Sequence, residues 1–181
     1  TTKLLFFKFG YRRVTINDIC RKACLSKMSF YRYFKNKEEM VSITLKNLIK
    51  ESNSRFESIM EGDVRFLEKV KNLISMEDTF REQIGVDFIN DILSSKNKLF
   101  SEIIKEQSIY EERQLKKYFS EAQEKGELDK KTPVPFLIFM LKDIKEKVQN
   151  KDLKKLYSNE KDMWRDLTNF YFFGIAPKNK R

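Results

Sequence analysis

Thr15-Ile16-Asn17-Asp18-Ile19-Cys20-Arg21-Lys22-Ala23-Cys24-Leu25-Ser26-Lys27-Met28-Ser29-Phe30-Tyr31-Arg32-Tyr33-Phe34 is the stretch on which the reading of this chain turns. Ile16, Ile19, Cys20 and Ala23 recur at i, i+3, i+4 and i+7, which gathers them on one buried helix face. Thr15 precedes that run and Asp18 follows three residues later, the arrangement of a capping box. After a tight turn at 24–25, Ser26 is placed to cap a second helix over 27–34, whose inward face is Phe30 and Phe34. Helix, turn of about three residues, helix is the spacing of a helix-turn-helix, in which the first helix braces the second against the major groove of DNA. The second helix leaves Lys27, Met28, Ser29, Tyr31, Arg32 and Tyr33 outward. A helix that merely covers a core usually shows Glu and Lys to water. Aromatic hydroxyls, guanidinium and ammonium groups are what phosphate oxygens and base edges require.

Outward from this stretch the pattern stays helical. Residues 1–9 are apolar nearly all round and stop at Gly10, and they open on Thr, so further residues are expected to precede them in the native chain. Asn36, with Glu39 three residues on, caps a helix expected to reach about residue 60. Phe66, Leu67, Val70, Leu73 and Ile74 form one apolar stripe, and 84–94 another with Phe88, Ile89, Ile92 and Leu93. A long amphipathic run over 96–125 ends at Gly126, Thr132 and Pro133 start a helix toward 150, and 162–174 makes the last one. With five Gly and three Pro in 181 residues there is little material for hairpin turns, and the expected fold is all-α.

Charge is distributed unevenly. Residues 1–50 hold twelve Lys or Arg against three Asp or Glu, a net of +9, whereas 51–181 hold twenty-five against twenty-four. A basic small part on a balanced larger part suits a nucleic-acid reader attached to something else. The absence of His removes Ser-His-Asp and Cys-His chemistry and any His-ligated metal. The five Gly are scattered singly, so no glycine-rich phosphate loop exists. Cys20 and Cys24 lack the further ligands a metal site needs and read as small packing residues. Neither a catalytic residue, a metal nor a cofactor is expected. The apolar runs are too short to span a bilayer, and two Cys give no disulfide framework, so a cytoplasmic protein with no membrane partner is expected.

The stretch from residue 4 to 45 resembles the N-terminal domain of the TetR (tetracycline repressor) family. The matching residues are Leu5, Phe6 and Gly10, then Val14, Thr15, Ile16, Asp18, Ile19 and Ala23, then Ser26, Lys27 and the run from Ser29 to Met40. A weaker echo, Ala122-Gln123-Glu124-Lys125-Gly126-Glu127-Leu128, falls where that family has the loop before its last two helices. The resemblance implies that Thr15 and Lys37 hold phosphates, that Tyr31 and Tyr33 touch backbone or base edges, and that Lys27, Met28, Ser29 and Arg32 face the groove. Two positions depart from the pattern: Cys24 and Met28 stand where the family usually has Gly, or Gly or Pro. A Cys held at positive φ would cost on the order of 1 kcal/mol, and a slightly reshaped turn, which would change the aim of Lys27 and Met28, is the alternative.

The last long helices carry more apolar surface than one core needs. Phe136, Leu137, Met140, Leu141, Ile144 and Val148 make one stripe with Ile138 and Phe139 beside it, and Met163, Trp164, Leu167, Phe170, Tyr171 and Gly174 make another. A helix apolar on more than one face has two partners to cover. A helix buried wholly within one copy is the alternative; the resemblance assigns the second partner to another copy of the chain, through Phe136, Met140, Ile144, Met163, Leu167, Phe170 and Tyr171. It also implies an effector pocket in the larger helical domain, and sixteen Phe with six Met suit an apolar or aromatic small molecule. The expectation is a homodimer with a helix-turn-helix DNA-binding domain at 1–45 and an effector-binding and dimerisation domain at 46–181. It binds a palindromic operator on double-stranded DNA and most simply represses until a ligand releases it. The alternative is the same DNA-binding dimer without an effector.

Overall fold

The computed structural model describes residues 2–147 and 150–175, and these form ten helices and no strand. They are α1 (Thr2–Phe9), α2 (Ile16–Ala23), α3 (Lys27–Tyr33), α4 (Lys37–Glu61), α5 (Phe66–Ile84), α6 (Val86–Leu93), α7 (Lys98–Glu124), α8 (Val134–Lys147), α9 (Lys151–Lys155) and α10 (Glu160–Ile175). The starts of α2, α3 and α4 are capped as their sequence predicts. Asn36 Oδ1 accepts from Glu39 N at 2.8 Å, and the Glu39 carboxylate returns to accept from Lys35 N at 2.5 Å. Asn150 Oδ1 accepts from Asp152 N and Leu153 N at 2.9 and 3.0 Å at the start of α9.

The chain divides into two compact units, one of Thr1–Glu57 with Met76–Ser108 and one of Ser58–Ser75 with Ile109–Arg181. In the first of these, α6 and the start of α7 pack with the N-terminal helices. In the first unit, Phe88 of α6 stacks on Phe6 of α1 at 6.2 Å and meets Phe7 edge-on at 5.6 Å. Phe100 of α7 is fully buried and meets the Tyr11 ring edge-on at 5.4 Å. Gly85 makes this approach feasible. It sits at φ +77°, and a Cβ there would lie 2.2 Å from the Phe7 carbonyl oxygen. The apolar pattern from 84 onward therefore starts one helix but also ends another: α5 runs on through Ile84, and the glycine separates it from α6.

In the second unit, Phe66 of α5 packs on Phe119 of α7 at 5.7 Å, and Glu127 accepts a hydrogen bond from Phe66 N at 2.6 Å. That carboxylate caps α5 from the turn after Gly126. Glu112 on α7 pairs with Lys142 of α8 at 2.9 Å and with Lys116 at 3.0 Å, which holds its carboxyl below the usual carboxylate range. Tyr171 of α10 donates its hydroxyl to the Leu137 carbonyl of α8 at 2.9 Å. Burial pushes the Tyr171 phenol up to about 12, so it stays the neutral donor that this bond needs. α9 escapes a periodicity search because it buries no residue and rests on its Asn150 cap.

Candidate nucleic-acid interface

The interface begins at Thr15. Its Oγ1 accepts from Asp18 N at 3.2 Å, while Asp18 Oδ2 accepts from Thr15 N at 3.0 Å and from the Thr15 hydroxyl at 2.6 Å. Arg21 adds a 2.7 Å contact to Asp18 Oδ1. The Asp18 carboxyl lies below its ordinary value, first through the Thr15 hydroxyl, then through the Thr15 amide and the Arg21 charge. The start of α2 thus carries its own anion, and the Thr15 hydroxyl expected to meet a phosphate is already engaged.

At the turn, Cys24 takes φ 54° and ψ 42°, the one positive φ outside glycine among the described residues. The strained conformation is retained, since it lets Leu25 N donate to the Cys20 carbonyl at 2.9 Å and Cys24 N to that of Arg21 at 3.4 Å. Ser26 then caps α3: its Oγ accepts from Ser29 N at 3.0 Å and lies 3.0 Å from Ser29 Oγ. Phe30 is buried, tilted against Phe34 at 5.4 Å, and this anchors the helix by its inner face.

On the outer side, Met28 is 84% exposed, Tyr33 67% and Tyr31 55%, and Lys27 and Arg32 are also exposed. The Arg32 guanidinium lies 5.2 Å from the centre of the Tyr33 ring, with Nη2 3.5 Å from its hydroxyl. α3 therefore brings Lys27, Met28, Tyr31, Arg32 and Tyr33 together on water-facing surface, with Ser29 half-buried among them. Leu25, half exposed beside them, was not singled out from the sequence, where an apolar turn residue carries no distinguishing signal.

Lys37 stands apart from this group. Its Nζ donates to the carbonyls of Tyr11 and Val14 at 2.9 Å each and of Arg12 at 3.4 Å, so it turns toward the loop between α1 and α2. Arg12 and Arg13 are also paired, with Asp91 at 3.6 Å and Asp87 at 3.5 Å on α6. Part of the N-terminal positive charge is thus answered from within its own unit. The i, i+4 spacing of Asp87 and Asp91 opposite two consecutive Arg was the signal available in the sequence.

The residues expected to pair two copies separate into groups. Phe170 is 87% exposed, and Phe136 and Phe139 are exposed as well. Met140 and Leu167 are half-buried. Ile144, Met163 and Tyr171 belong to the core of their own unit, where Met163 has no exposed surface, so they back the apolar face and do not form it. Val148 lies outside the described residues. No group of three Cys, Asp or Glu able to hold a metal occurs among the described residues.

Residues 1–42 match the family model described as bacterial regulatory proteins, tetR family. The match falls on the helix-turn-helix stretch, where the sequence resembles that family. The transposon Tn10 TetC protein of Escherichia coli is 29% identical to it over 142 residues, 67% of this chain and 68% of that protein. A TetR-family transcriptional regulator from Cytophaga hutchinsonii shares the fold with a TM-score of 0.80 at 16% identity, covering 98% of this chain and 92% of its own. A chain from Saccharomonospora viridis, solved in complex with choline, does so with a TM-score of 0.79 at 15% identity, over 98% and 95% of the two chains. The model match covers α1, α2 and α3 and the start of α4, and the likeness to the solved chains covers the helical fold as a whole. No helix among its described residues is long and apolar enough to cross a membrane.

Proposed function

We propose that this chain is a TetR-family transcription regulator, not an enzyme, and works in the cytoplasm as a homodimer that binds a palindromic operator and represses transcription until a small molecule releases it. The observation that carries the reading is α3: a helix fixed by buried Phe30, presenting Lys27, Met28, Tyr31, Arg32 and Tyr33 to solvent beside one another. The Thr15 hydroxyl donates to Asp18 and reaches phosphate as a donor only by exchanging that partner, while Ser29 lies beside the Ser26 cap. Exposed Phe136, Phe139 and Phe170 support pairing of two copies. Two-fold pairing puts recognition helices about one DNA turn apart, ~34 Å, each in a major groove.

Release needs a ligand that prefers the undocked arrangement, since a ligand indifferent to the two shifts nothing. α4 and α5 each contribute residues to both units, which gives a ligand bound in the second unit a covalent route to the head. Support for an effector comes from the aromatic and Met content and from the choline seen in a protein of the same fold; an apolar or aromatic ligand held by a few polar groups suits this chain. An activator or partner-regulated dimer without an effector is the second reading, supported by the same α3 surface.

Selection of bound DNA from a random pool tests the core of the proposal, with a palindrome as the expected outcome. Binding should fall steeply with salt, in proportion to the phosphates neutralised. Arg32→Ala should weaken binding by about 1–3 kcal/mol and relax base preference. A flat salt dependence, or recovered sequences without a repeated half-site, would remove the reading.

A further inference from the structure

Lys37 occupies the first position of α4, and its side chain reaches back across the entry to α2. An ammonium has three donors and no acceptor. Here its three acceptors are the carbonyls of Tyr11, Arg12 and Val14, and its Nζ also lies 5.6 Å from the centre of the Tyr11 ring. These carbonyls belong to the loop that leads into Thr15, the cap of α2. The other side of that loop is held by α6 and the residues after it. Arg12 N donates to Asp91 Oδ2 at 3.0 Å, the Arg12 guanidinium to Ser94 Oγ at 3.1 Å, and the Tyr11 hydroxyl to Ser95 Oγ at 3.1 Å. Lys37 is therefore the tie from α4, and α6 supplies the opposing ties.

We propose that Lys37 is a positioning residue for DNA binding: its ammonium clamps the α1–α2 loop to the start of α4, and thereby sets the angle at which α2 and α3 meet the groove. This rests on the DNA-binding reading above, and departs from the phosphate-holding role expected of a lysine at this place. Turning outward to a phosphate would strip the part-buried carbonyls of Tyr11 and Val14 of a charge-assisted partner, so one new bond would replace several lost ones. The local charge that phosphate feels is left to Lys27, Arg32 and their exposed neighbours.

The test is operator affinity as a function of potassium chloride concentration for the wild-type chain, Lys37→Met and Lys37→Arg, measured well below each melting temperature. Met keeps the stem without donors. Arg keeps the charge, but its planar fork does not send three donors to one convergent point. A clamp predicts that both variants bind about tenfold more weakly, with the wild-type salt slope. A phosphate contact predicts that Arg binds like the wild type and that Met lowers the slope by about one phosphate; that result overturns the proposal. So does Met binding like the wild type. Should Lys37→Met fail to fold, Lys37→Gln is measured in its place. Amide exchange at residues 11–15 without DNA should speed up in both variants, and unchanged protection refutes the clamp. A wild-type chain without salt-dependent DNA binding refutes the DNA reading itself, and amide exchange then still decides whether Lys37 holds the loop.

Discussion

Helices α3 and α10 both leave aromatic rings in water, Tyr31 and Tyr33 in one and Phe170 in the other, and their surroundings differ. The α3 rings carry hydroxyls and stand beside Lys27 and Arg32, with one guanidinium lying over a ring. The α10 ring is pure hydrocarbon, and the exposed apolar residues in its unit include Phe136 and Phe139 of α8. The first set suits a wet, polyanionic partner, where hydrogen bonds and charge do the recognition. The second suits a dry surface of similar kind. Exposure alone does not tell the two apart; the polar atoms on and beside the ring do.

The contrast can be broken most severely at the anchor of α3. Phe30→Ala removes a buried ring that lies against Phe34 and should destabilise the first unit by about 3–5 kcal/mol in urea unfolding. A loss below ~1 kcal/mol would mean that α3 is not braced from beneath. Next in size is the other aromatic surface. Phe170→Asp should weaken self-association by about 2–4 kcal/mol by sedimentation while the first unit keeps its fold. A dimer unchanged in affinity would assign Phe170 to some other surface.

Two smaller effects sharpen the account of the head. Cys24→Gly relieves a left-handed backbone without touching the outer face of α3, and should stabilise by about 0.5–1 kcal/mol after the extra freedom of unfolded glycine is counted. Thermal unfolding reads it, and destabilisation would mean that the thiol packs to more effect than its exposure suggests. The smallest effect is a pH dependence. Asp18 has a folded pKa below its ordinary 3.8, so its contribution is fully present above that value and lost as pH falls through the folded one. Asp18→Asn should therefore flatten the acid limb of the stability profile below about pH 4 and leave its slope near neutrality unchanged.

Local chemistry was legible in the sequence wherever a few neighbouring residues decide it. Thr15 with Asp18, Ser26, and Asn36 with Glu39 announce helix starts that the structure retains. Phe30 as core and Tyr31, Arg32 and Tyr33 as surface follow from helical period alone. Long-range pairing was not legible. Nothing near Lys37 says that carbonyls more than twenty residues earlier will accept its hydrogen bonds. The stripe containing Met163 and Tyr171 shows that a helix is apolar but not which of its sides meets its own core. The role of Gly85 also needed the Phe7 carbonyl opposite it, since a lone glycine between apolar residues is compatible with many backbones.

The turn of the helix-turn-helix also leaves a thiol in the open. Cys24 is exposed and Cys20 is buried, and these are the two cysteines of the chain. A maleimide or nitroxide reagent therefore distinguishes them without any change to the sequence, and marks each head at the bend that joins its two reading helices. In a pair of copies, dipolar spectroscopy between the two labels gives a ruler on the separation of the heads. The width of that distance distribution, with and without operator, reports how much freedom the heads surrender when both are seated.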